Sequence, residues 1–217
     1  CRYCFRRSFP YAEHRLSKSD WQAPLAYVAD NTHIDEVILS GGDPLIHSDD
    51  YLQNMLQSID ALPNIKRIRI HSRLASTLPQ RFTAALLTTL SSLRSRVILV
   101  LHCNHANELG EDVAMACAKL NAIGVTLLNQ SVLLRDINDD ATTLACLSQR
   151  LFEIGVMPYY LFTLDKVKGA QHFDIDPSQV KAIYARLLGK LPGYLVPKLV
   201  AEIPGRPSKT PVSLDSN

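Results

Sequence analysis

Apolar and polar positions follow two periods along this chain. Short, nearly continuous apolar runs are separated by longer stretches in which apolar residues return every three or four positions. The first short run is Asp35-Glu36-Val37-Ile38-Leu39-Ser40, which stops at Gly41-Gly42 and predicts a buried strand. Further strands are predicted over 65–71, 96–102, 125–130 and 157–162. The 96–102 run is almost continuously apolar, as a strand covered on both faces should be. Pro158 sits near the start of the last run, where a missing backbone donor is tolerated. Between the strands lie helices. Ser19 or Asp20 caps one running through Trp21 and Tyr27, and Ser48 caps 51–59, where Tyr51, Leu52, Met55, Leu56 and Ile59 share a face. Pro79 opens a helix through Leu93, a favoured first-turn position. Helices over 108–123 and from Asp139 or Asp140 to Ile154 end at Gly124 and Gly155, both suited to a left-handed cap. A last helix starts at Asp176-Pro177 and ends at Gly189.

Strand–helix repetition at roughly 30-residue spacing implies an α/β fold with parallel strands and right-handed crossovers. Periodicity leaves open whether the sheet is doubly wound or a barrel. After Lys190 the chain carries Pro192, Pro197, Pro204, Pro207 and Pro211, which predicts extended, loop-like chain folded back on the domain. The expected division is a core over 1–190 and a C-terminal segment over 191–217. The predicted strands end in Ser40-Gly41-Gly42-Asp43, His71-Ser72-Arg73, His102-Cys103-Asn104-His105, Asn129-Gln130-Ser131 and Asp165-Lys166. Polar groups at the carboxyl ends of parallel strands mark the expected place of a site.

Composition narrows the class. Hydrophobic residues at 47% and charged ones at 20% exclude disordered and fibrous chains. No run approaches the ~18 apolar residues of a membrane span, so no membrane association is expected. A net charge of +2 over 217 residues does not suggest a nucleic-acid partner. Five cysteines, an odd number, argue against a disulfide framework and for a reducing, cytoplasmic setting. The chain opens on Cys1 without an initiator methionine, so a fragment of something longer is expected.

Several motifs have more than one reading. Cys1-Arg2-Tyr3-Cys4 fits half a zinc site, a redox pair or coincidence. Ser40-Gly41-Gly42-Asp43-Pro44 is either a tight turn needing positive φ or bare backbone beside a ligand, with Asp43 free for an ammonium or hydroxyl. For His102-Cys103-Asn104-His105, hydrogen bonding at a strand end is favoured over metal ligation. Cys103, Cys117 and Cys146 stand among apolar neighbours, where buried structural thiols are the default. Lys209, by itself, is a loop cation in a Gly/Pro-rich segment.

Taken jointly, these residues resemble the lysine 2,3-aminomutase family of radical S-adenosylmethionine (SAM) enzymes. The nearest likeness is to its branch that supplies β-lysine for modifying bacterial elongation factor P. The resemblance is carried by Cys1-Arg2-Tyr3-Cys4-Phe5-Arg6-Arg7, Ser40-Gly41-Gly42-Asp43-Pro44-Leu45, Arg69-Ile70-His71-Ser72-Arg73, the 129–136 stretch, Pro158-Tyr159-Tyr160 with Leu164-Asp165, and the 204–212 loop. It implies a radical-SAM (β/α)6 part-barrel, a partial TIM barrel lacking its first strand here and keeping strands two to six. Cys1 and Cys4 match the second and third cysteines of C-x3-C-x2-C, whose thiolates hold a 4Fe–4S cluster, and the first would lie upstream. Ser40, Gly41, Gly42, Asp43, Ser72, His102 and Gln130 match positions around SAM. Lys209 matches the lysine that forms the internal aldimine with pyridoxal phosphate. Arg6 matches the arginine for the substrate carboxylate, and Asp165 and Glu202 the two acids for ammonium groups.

The implied activity is radical isomerisation of L-lysine to (R)-β-lysine. Its implied partners are a flavodoxin- or ferredoxin-like reductant and the elongation factor P modification pathway, with assembly into a homo-oligomer left open. Glu202 stands where the family has aspartate, and Gly205-Arg206-Pro207-Ser208 replaces a nearly all-glycine loop. Both departures agree with the elongation-factor branch. The alternatives are an aminomutase for arginine or glutamate, the latter disfavoured because its side chain would meet Asp165, and a cluster-free, non-catalytic binding relic.

Overall fold

A computed structural model describes residues 2–4 and 21–214. Its strands are β1 (Glu36–Leu39), β2 (Arg67–Ser72), β3 (Arg96–Leu101), β4 (Thr126–Val132), β5 (Met157–Phe162), β6 (Lys198–Ala201) and β7 (Thr210–Pro211). They form one sheet in the order β1-β2-β3-β4-β5-β6-β7. The first six are parallel and β7 is antiparallel to β6. The helices are α1 (Gln22–Asp30), α2 (Asp49–Asp60), α3 (Leu74–Thr77), α4 (Ala84–Ser92), α5 (Glu111–Ala122), α6 (Ala141–Glu153) and α7 (Pro177–Leu188).

A doubly wound sheet reverses its strand order at a switch point. This order never reverses. Right-handed crossovers between strands laid down in one direction put the helices on one face, which is the winding of a barrel wall.

Side-chain alternation confirms the two faces. Leu39, Ile70, Leu99 and Leu127 stand beside one another in register and pack into a core with Leu52, Leu56, Leu86, Leu120 and Leu151 from the helices. A second core joins Leu161 of β5 and Leu199 of β6 to Leu144 of α6 and to Val180 and Leu187 of α7. The alternate residues therefore face the concave side: Arg69 and His71 on β2, Val100 and then His102 on and after β3, Gln130 on β4, and Tyr160 and Phe162 on β5.

Three local readings change. The proline-rich tail predicted as loop contains β6, whose four residues lie between Pro197 and Pro204, so the prolines bracket the strand rather than interrupt it. Six parallel strands are therefore present where the sequence pattern predicts five. The helix predicted from Pro79 breaks: Pro79–Arg81 is a 3-10 turn, and α4 starts afresh because the Thr83 side chain accepts from the Leu86 amide. Residues 106–108 form a separate 3-10 turn before α5, since Glu108 folds back on the amides of Asn104 and His105. Gly124 (φ 82°) and Gly155 (φ 78°) do close α5 and α6 in the left-handed conformation.

Candidate functional site

The first wall of the site is the loop after β1. Gly41 has φ 123°, a conformation that side chains resist, and this turns the backbone away from the strand. Asp43 then fastens the loop to the end of β2. Its carboxylate accepts from Ser72 Oγ (2.8 and 2.9 Å), from the Arg73 amide (2.7 Å), and from the amides of Leu45 (3.1 Å) and Leu74 (3.3 Å). The alternative of Asp43 standing free for a ligand ammonium or hydroxyl is thus not what the structure has, because the chain's own donors occupy both oxygens. Exposed Ser40 and Gly42 remain as the outward groups of the loop.

The floor is made by two imidazoles on neighbouring strands. His71 and His102 approach edge to face, with ring centroids 5.7 Å apart. Burial lowers the His71 pKa to about 4, assisted by the charges of His102, Arg69 and Lys209. Burial also lowers His102 to about 4, with Arg73 adding to the shift and Asp43 opposing it. Both rings are neutral at pH 7. His102 lies 3.2 Å through Nε2 from the Gln130 side-chain nitrogen, whereas His71 Nε2 is buried and lacks a hydrogen-bond partner among the described residues.

The opposite wall comes from the C-terminal hairpin. β6 and β7 pair Ala201 with Thr210, so the next two residues, Glu202 and Lys209, fall opposite each other. Lys209 Nζ lies 3.0 Å from Glu202 Oε2 and 5.7 Å from the centre of the Phe162 ring. Asp165, in the loop after β5, is half-buried beside them. Burial pushes its carboxyl above the usual carboxylate range, the Glu202 charge pushes the same way, and Lys209 opposes both. Two acids, one amine and an aromatic face therefore converge, and the Lys209 charge reaches His71 on the floor.

Residues 2–4 of the cysteine loop meet the ends of β2 and β3 through Tyr3. Tyr3 Oη accepts from Asn104 Nδ2 (2.5 Å) and Arg73 Nη1 (3.3 Å), and Cys4 beside it carries a free, half-buried thiol. Cys1 and Arg6 lie outside the described residues. Cys103 and Cys117 are buried, and burial pushes their thiols up to about 12 and about 11, so neither is poised as a thiolate. Cys146 departs from the expected buried thiol: it is exposed, on the solvent side of α6.

The structure thus gathers Ser40, Gly41, Gly42, Asp43, Ser72, His102, Gln130, Asp165, Glu202, Lys209 and Cys4 at the carboxyl ends of the strands. Arg73, Asn104 and Phe162 belong there too, and sequence reasoning misses their roles. Arg73 and Asn104 stand one and three residues beyond strand ends, where polar side chains are a usable signal. Phe162 could have been found from its parity with Tyr160.

No protein-family model matches the chain. It is 55% identical over 214 residues to an L-lysine 2,3-aminomutase of Escherichia coli (strain K12), covering 99% of this chain and 63% of that protein. It is 50% identical over 210 residues to one from Haemophilus influenzae (strain ATCC 51907 / DSM 11121 / KW20 / Rd), covering 97% and 62% respectively. The chain thus spans a little under two thirds of these curated relatives. Among solved structures, a radical SAM methyltransferase from Sphaerobacter thermophilus aligns with a TM-score of 0.58 at 13% identity, covering 86% of this chain and 58% of that one, a likeness of fold alone.

Proposed function

The chain belongs to the lysine 2,3-aminomutase family, and on that premise we propose that the full-length protein is an isomerase converting L-lysine to (R)-β-lysine. It would use a 4Fe–4S cluster, SAM and pyridoxal phosphate. The observation that carries the reading is the meeting of Lys209, Glu202 and Asp165 over Phe162, at the strand ends that also hold His102, Gln130 and the Gly41-Gly42 loop.

The residues fit the groups. Lys209 offers a primary amine for an aldehyde, beside a ring face on which an aromatic cofactor could rest. Cys4 offers a soft, accessible thiol of the kind iron–sulfur clusters use. Gly41 and Gly42 bring backbone without side chains to the mouth of the barrel, where an amino-acid-like ligand can approach main-chain groups. When bound, the cluster with SAM supplies a carbon radical, and pyridoxal phosphate supplies the carbonyl that holds the substrate amine.

The chain's own residues would hold and shield the substrate. Glu202 and Asp165 present two carboxylates to the ammonium groups of a diamine acid, and Arg6 takes its carboxylate. Neutral His71 and His102 add polarity without adding positive charge near the amine. The buried Val100 and half-buried Phe162 line the concave face with apolar surface that keeps water away from reactive species. The two acids favour lysine over glutamate, whose side chain would repel them.

The same proposal includes supply of β-lysine for modification of elongation factor P, a flavodoxin- or ferredoxin-like reductant and a cytoplasmic setting. Glu202 and Gly205-Arg206-Pro207-Ser208 support that branch. Among the described residues no helix is long and apolar enough to cross a membrane.

The test is an anaerobic assay of the reconstituted full-length protein with labelled L-lysine, alongside arginine and glutamate. β-Lysine from lysine is expected. Its absence with all three cofactors and a reductant would overturn the reading, and turnover of arginine or glutamate alone would reassign the substrate.

A further inference from the structure

Among the described residues, the hydroxyl of Tyr3 is one point at which the cysteine loop touches the barrel. It receives hydrogen bonds from Asn104 Nδ2 (2.5 Å) and Arg73 Nη1 (3.3 Å), and the Tyr3 ring meets Phe173 edge-on at 6.5 Å. Both donors are themselves fixed. Arg73 spans from the hydroxyl to the His102 carbonyl (3.0 Å) and, through Nη2, to Glu108 Oε2 (2.7 Å). Glu108 uses its other oxygen on the amides of Asn104 (2.7 Å) and His105 (3.1 Å). Asn104 is buried, and its Oδ1 accepts from the Val132 amide (2.9 Å) while its carbonyl accepts from Asn138 Nδ2 (2.9 Å). Asn138, wholly buried, also binds the Leu134 amide (2.7 Å) and the Val132 carbonyl (2.9 Å).

Neither donor can swing away without breaking bonds to the segment after β3 or to the last residue of β4. The arrangement is a clamp: one hydroxyl on the loop, held by two side chains rooted in the ends of β2 and β3, the second braced against β4. It also joins two halves of the site, since the Arg73 amide binds Asp43, the residue that fastens the glycine loop.

We propose that Tyr3 is a positioning residue whose hydroxyl, gripped by Arg73 and Asn104, sets the place of the neighbouring Cys4 thiol and so the retention of an iron–sulfur cluster. This rests on the reading of Cys4 as a cluster ligand. The ring alone would pack on Phe173 but would leave the loop free to slide; the hydroxyl supplies the directional contact.

The experiment uses the full-length protein, reconstituted anaerobically, as wild type, Tyr3→Phe and Phe173→Leu. Iron release to an excess of chelator is timed, the reduced cluster is examined by electron paramagnetic resonance with and without SAM, and melting of the iron-free proteins is measured. Tyr3→Phe should lose iron about tenfold faster, the scale of one hydrogen bond, and show an altered resonance, with iron-free melting unchanged. Phe173→Leu should release iron at close to the wild-type rate. Wild-type release and resonance in Tyr3→Phe would overturn the clamp while leaving the cluster reading intact. Equal losses in both variants would overturn the role of the hydroxyl in favour of ring packing. A wild-type protein that takes up no iron would overturn both readings.

Discussion

Glu202 and Lys209 face each other across the base of the loop that joins β6 to β7, Oε2 to Nζ 3.0 Å, although they stand seven positions apart in sequence. The side chains keep 60% and 36% of their surface, so solvent screens the pair and it contributes little to stability. Glu202→Gln should therefore shift the folding free energy by less than about 0.5 kcal/mol in urea unfolding. The same substitution should lower kcat/KM for lysine about 10- to 100-fold if Glu202 holds a substrate ammonium as proposed, since it removes a charge there. A large loss of stability with unchanged kinetics would place the residue in the fold rather than in the site.

Lys209 makes the companion prediction. Lys209→Ala, reconstituted with pyridoxal phosphate, should lose the visible absorbance of the lysine-bound cofactor. A spectrum like that of wild type would remove Lys209 from that role.

Asp43 is a structural fastening. Asp43→Ala strips the acceptor from Ser72 Oγ and from three backbone amides, which solvent can only partly satisfy. A loss of about 2–4 kcal/mol is expected in urea unfolding. Loss of SAM binding should accompany it, because the glycine loop would no longer be held against β2. Binding titrations on folded protein test the second effect.

The two neutral imidazoles set an acid limit. His71 and His102 titrate near 4 in the folded chain against about 6.5 in an unfolded one, so the unfolded state binds protons first as pH falls. Their contribution is complete above pH 6.5 and is lost as pH drops from about 6.5 to 4. Each can cost on the order of 3 kcal/mol at the lower end. His71→Asn should flatten the stability profile in that window, measured by urea midpoints from pH 4 to 7, whereas an unchanged slope would mean His71 is accessible to protons when folded.

Asn138 tests the polar network behind the clamp. It is wholly buried and holds Leu134, Asn104 and Val132 through backbone groups. Asn138→Ala should cost about 2–4 kcal/mol, read from urea unfolding.

The periods of the chain were enough for the parallel α/β pattern, because burial repeats every second residue in strands and every third or fourth in helices. Five strands, the Ser48 cap and the glycine stops at Gly124 and Gly155 follow from that rule. β6 escaped it because four residues between prolines carry too little periodicity. The motif resemblance named Lys209, Glu202 and Asp165, but their spacing along the chain says nothing of distance. The hairpin register brings the first two together, and the neighbouring strand end supplies the third. The direction of winding also lay beyond the sequence, since one local pattern serves open sheets and barrel walls alike. The monotone strand order decided it. Asp43 shows the division most plainly. Its place after two glycines was legible at once, but only the tertiary structure showed its oxygens filled by the end of β2, because hydrogen bonds depend on proximity in space and not on order in the chain.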